Sequence, residues 1–151
     1  MKTYKIIAAA LIFVTLPAIG QPATEYKPGT EGYFCRAESY RTMDFTKASR
    51  NYELCLSSDN DGIVESALAH IAYTRLVLPA ADLTGVRETV EKLTISDRAP
   101  VIRYKAYLAS MVLASPGLFS QTVERTYADS NEFFAAVDAQ LRHTLLGYRG
   151  D

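Results

Sequence analysis

The chain contains no tryptophan, two histidines and two cysteines among 151 residues. With the two thiols expected to pair with each other, His70 and His143 are too few to build a zinc centre, which takes three or four protein ligands. Gly-x-Ser-x-Gly is absent, as is any glycine loop that could cradle phosphates, and no carboxylate pair stands out as a motif. Serine-elbow hydrolysis and phosphate-loop chemistry therefore have no foothold. No cofactor and no metal are expected, and the chain reads as non-enzymatic.

Basic excess is also lacking. The first twenty residues hold Lys2 and Lys5 and no acid, so their removal leaves fourteen basic against seventeen acidic side chains, a net charge of −3. Phosphate backbones are held by basic stripes, and none is present, so nucleic acid is not an expected partner. Long apolar runs are missing except for Ile6 to Ile19, fourteen uncharged residues behind a short lysine-bearing start. A bilayer core needs about 20 apolar residues, so this run reads as a signal peptide over 1–20, with Ala18 and Gly20 as the small residues before the cut. The chain is expected to be exported, to the periplasm or the medium, with no membrane span once the signal is removed.

What remains divides into a leader over 21–30, carrying Pro22, Pro28 and Gly29, and one domain over 31–151. In that domain prolines occur only at 79, 100 and 116, and apolar residues recur at spacings of three and four, which predicts an all-α fold of about seven helices. The first is expected over Gly32 to Thr42. The second starts at Asp44, with Phe45, Ala48, Tyr52, Cys55 and Leu56 on one face, and the third follows Asp61 and ends before Pro79. A fourth follows Asp82, and a fifth is capped by Asp97 with Pro100 in its first turn. A sixth starts at Ser115-Pro116, and the last runs from Asp129, with Glu132 three residues on, to Gly147. Apolar positions cover more than half the circumference of helices three and five but only one face of helices two, four and seven, which places three and five in the middle.

Cys35 and Cys55 are an isolated pair, and in an exported chain such a pair is most simply a disulfide. It would join helices one and two as an antiparallel hairpin and stabilise by about 3 kcal/mol in the chain-entropy picture. A redox role fits poorly, because reactive dithiols usually stand two residues apart.

Met43 to Leu56 resembles the second helix of a tetratricopeptide unit, where aromatic and small residues recur at this spacing. Pro100 to Ala106 resembles a HEAT-type helix, and Asp61 to Ala67 lines up with it thirty-nine residues earlier. The resemblance implies antiparallel hairpins in a short solenoid or a compact helical-repeat-like domain. Such modules generally serve as scaffolds, so it also implies a protein or peptide partner.

Four residues are the candidates for contacting that partner. On helix five the strip left open to water is expected to hold Arg103, Tyr107 and Ser110, and arginine beside tyrosine is common at interface hot spots. Lys105 falls inside the apolar arc of the same helix, where a charge must pair or reach water along its stem. His70 lies on the apolar side of helix three and is expected to be buried, while His143 faces water. The alternative is a small exported enzyme or ligand-binding protein with a pocket that gathers Lys105 and His70.

Overall fold

Short acceptor side chains fix three of the helix starts. Asp44 accepts from the Lys47 amide at the head of α2 (Phe45–Leu56). Asn60 accepts from Gly62 and Ile63 at the head of α3 (Asp61–Val77), and Asp129 from Glu132 at the head of α6 (Ser130–Leu146). Each satisfies an amide that the first turn leaves without a partner, worth about 1 kcal/mol. Glu132 returns the bond to the amide of Ala128, one residue ahead of the usual capping-box partner. α4 (Thr84–Thr94) and α5 (Pro100–Ala114) have Leu83 and Ala99 at the N-cap, whose side chains offer no hydrogen bond. Asp97 is therefore not the cap of α5. That helix starts at Pro100 with Ala99 as its N-cap residue, because Pro100 has the fixed φ of a first helical residue and needs no amide partner there.

The computed structural model describes residues 32–35 and 37–147. The signal region, the leader and the last four residues lie outside the described residues. Among those described the fold is all-α, with α1 (Ala37–Arg41), the five longer helices and a 3₁₀ helix, Pro116–Glu124, between α5 and α6. No described helix is long and apolar enough to cross a membrane.

α2 and α3 form one helical hairpin, α4 and α5 a second, and the two lie side by side, α2 against α4 and α3 against α5. Arg98, in the turn before α5, donates to the Ser58 carbonyl and pairs with Asp61 at 2.9 Å, fastening the turn of one hairpin to that of the other. The 3₁₀ helix and α6 then pack across α3 and α5. α3 thus touches α1, α2, α5, α6 and the 3₁₀ helix, as its wide apolar circumference requires. Its Val64, Leu68, Ala69, Ile71 and Ala72 are sealed completely, as are Ala106, Ala109 and Val112 of α5.

Three further expectations are corrected. The first helix is five residues rather than eleven, because Gly32 to Cys35 is a bent, non-helical segment: the Tyr33 amide bonds to the Tyr127 carbonyl at 2.7 Å, and Phe34 stacks on Tyr73 at 4.1 Å. The sixth segment is 3₁₀, with a first bond running three residues from Leu118 to Ser115. Cys35 and Cys55 are both free. The height match that would join them assumes Cys35 on a helix beside α2, whereas it stands exposed in the non-helical segment ahead of α1.

Candidate functional site

α2 is amphipathic, and the fold covers its apolar stripe only in part. Of Phe45, Ala48, Tyr52, Cys55 and Leu56, only Leu56 is buried, and the other four are half-open. Two depressions adjoin along this stripe and share Tyr52. One, of ≈460 Å³, lies between α2 and α3, with Tyr52 and Cys55 on one wall and Ile63, Ser66, Ala67 and His70 on the other. Its neighbour, of ≈310 Å³, continues along α2 past Met43, Lys47 and Ala48.

Tyr52 is fixed where the two meet. Its hydroxyl lies 3.1 Å from Thr74 Oγ1, which itself donates to the His70 carbonyl at 2.7 Å. Burial pushes the Tyr52 hydroxyl above its ordinary value, against the Thr74 hydrogen bond that lowers it, so it stays protonated. Behind the far wall, Tyr33 donates to Ser66 Oγ at 2.8 Å and its ring lies 5.3 Å from that of His70. Phe34 meets His70 edge-on at 5.2 Å. Burial among these rings holds the imidazole below its ordinary value, and no carboxylate opposes the effect. His70 is half-buried rather than sealed, a neutral apolar wall with polar edges. An open trough with a neutral imidazole, a thiol and aliphatic carbon suits contact with apolar side chains better than proton transfer.

Lys105 stands elsewhere. It is 5% exposed, and its Nζ is 2.6 Å from Glu65 Oε1 and 2.6 Å from Asn131 Oδ1, with the Phe134 ring 5.7 Å away. Ser130 also donates to Glu65. Burial pushes the Glu65 carboxyl up, but the Lys105 and Ser130 hydrogen bonds and the lysine charge outweigh it, leaving the carboxyl below its ordinary value. Lys105 therefore ties α5 to α3 and α6, and it is not among the residues lining the depression beside His70.

On α5, Tyr107 is exposed, while Arg103 and Ser110 are half-buried. Arg103 Nε is shut off from water without a partner, and Ser110 donates to the Tyr107 carbonyl. Tyr104 completes the open edge: its ring stacks beside Tyr107 at 6.3 Å, and its hydroxyl donates to Asp138, which Arg142 also holds. Reasoning from sequence passed over Tyr104 and the trough beside α2. The signal for Tyr104 was its place one turn before Tyr107. For the trough there was none, because amphipathicity marks a face to be covered without saying how fully the fold covers it.

His143 is exposed near the end of α6. Among the described residues no group of three or more His, Cys, Asp or Glu side chains is placed to hold a metal. No protein-family model, curated protein or solved structure matches the chain. The tetratricopeptide- and HEAT-like resemblance thus has no family match behind it.

Proposed function

We propose that this protein is an exported, non-enzymatic helical module that captures a protein or peptide along α2. One observation carries the proposal: the apolar stripe of α2 lies half-open over two adjoining depressions that share Tyr52. A long shallow trough of this kind fits a row of apolar side chains on a polypeptide better than it encloses a small molecule. Export rests on the lysine-bearing start and apolar run of residues 1–20. A pocket that joins Lys105 to His70 has less support, since Lys105 is engaged by Glu65 and Asn131.

Affinity capture from the envelope fraction and medium of the source cells, read by mass spectrometry, tests this. Ile63→Asp and Ala48→Glu place a charge in each depression at positions that are not sealed, and each is expected to weaken capture about tenfold with the melting temperature nearly unchanged. Arg103→Ala and Tyr107→Ala probe the alternative strip on α5 in the same assay. Parental capture by both trough variants overturns the α2 site, and loss with the α5 variants alone moves the partner to that strip.

A further inference from the structure

Far from the hairpin turns, a cavity of ≈130 Å³ opens where the end of α3, the start of α4 and the end of α5 meet. Arg75, Arg87 and Thr84 supply its polar lining, and Ala81, Leu83 and Leu113 its apolar walls. Sites for drug-sized ligands run to roughly 300 to 1,000 Å³, so this one suits a molecule of a few heavy atoms.

Arg75 is held in place but not neutralised. Its Nη1 donates to the carbonyls of Pro79 at 2.7 Å and Ala81 at 3.2 Å, which fixes the guanidinium plane. Its Nε–H is closed off from water and has no partner, and Arg75 is absent from the five ion pairs among the described residues. A half-buried cation without an ion-pair partner among the described residues favours an anion in the adjoining space. Arg87 brings a second positive charge to the same cavity; its pairing with Glu91 is half-exposed on both sides and readily exchanged. The amide end of α4 is not the attraction, because Asp82 already accepts from the Thr84 amide and hydroxyl.

We propose that this cavity binds a small carboxylate, its oxygens on Arg75 and Arg87 and its short carbon chain against Leu83, Leu113 and Ala81. A guanidinium matches a carboxylate's two oxygens, and the walls reward carbon that a bare inorganic anion lacks. The carboxylate comes either from a free short-chain acid or from the C-terminus of a polypeptide.

Calorimetric titration of the whole protein at constant ionic strength, with butyrate, butyramide, inorganic phosphate and a short alanine-ending peptide with free or amidated C-terminus, decides it. Butyrate is expected to bind saturably and butyramide not at all. Arg75→Lys keeps the charge but loses the planar fork and is expected to weaken butyrate binding at least tenfold, and Arg87→Met several-fold. Arg87 is exposed, so its variant keeps the test open should Arg75→Lys disturb the loop. A free-carboxylate peptide that binds tighter than butyrate, with its amide silent, assigns the site to polypeptide C-termini; butyrate binding without the peptide assigns it to free acids. No saturable binding by butyrate or peptide, binding unchanged in both arginine variants, or phosphate bound more tightly than either carboxylate overturns the proposal.

Discussion

Lys105 and Glu65 show how one ion pair shapes its surroundings. Their side chains are 7% and 20% exposed, so water does little to screen the charges, and the lysine would be left uncompensated if its partner were neutral. Glu65→Gln is therefore expected to lower unfolding free energy by about 3 kcal/mol, measured by urea titration. Joint replacement, Glu65→Gln with Lys105→Met, removes both charges and is expected to recover most of the loss. A single Glu65→Gln variant as stable as the parent would mean that Asn131 and the edge of α6 hydrate the lysine well enough alone.

Among the elements, the non-helical segment Gly32 to Cys35 is short but does the work of a helix. Phe34 is 8% exposed and meets the rings of Tyr33, His70, Tyr73, Tyr127 and Phe133. Phe34→Ala should cost about 3 to 4 kcal/mol in the same denaturation measurement, whereas Leu54→Ala, on the open side of α2, should cost little. A loss below about 1 kcal/mol for Phe34→Ala would mean that the segment is not seated in solution. Sequence pattern made the helices legible and this segment illegible, for one physical reason. Period and capping report the local backbone, so α2, α3, α5 and α6 could be read from their apolar spacing and from residues such as Asp44, Pro100 and Asp129. Phe34 leaves a helical pattern because of tertiary partners on α3 and α6, and Cys35 leaves with it. The Glu65 partner of Lys105 was hidden likewise, forty positions away on another helix. So was the cavity between Arg75 and Arg87, which exists only where three helix ends converge.

For the whole molecule, stability should fall as the medium is acidified, in two windows. His70 is held below its ordinary value of 6.5, so on descending through that value the unfolded chain takes up a proton that the folded chain refuses. Glu65 is held below its ordinary value of 4.5, so its contribution is present above that value and is lost as pH falls through the folded one. In both windows the unfolded state binds more protons, and stability rises with pH. Melting temperature is expected to decline from roughly pH 7 to pH 5, and His70→Gln to flatten that stretch while leaving the more acidic one in place. A His70→Gln profile parallel to the parent's would place the first window on another group.

The bond from the Tyr33 amide to the Tyr127 carbonyl sets an order of assembly. Phe34 is made early but seats against Tyr127 and Phe133, the latter ninety-nine positions further on. Until α6 has been made, the two hairpins can pair but the aromatic cluster has no far side, and Gly32 to Cys35 has no complete seat. The segment made first among the described residues is thus the last to find its place.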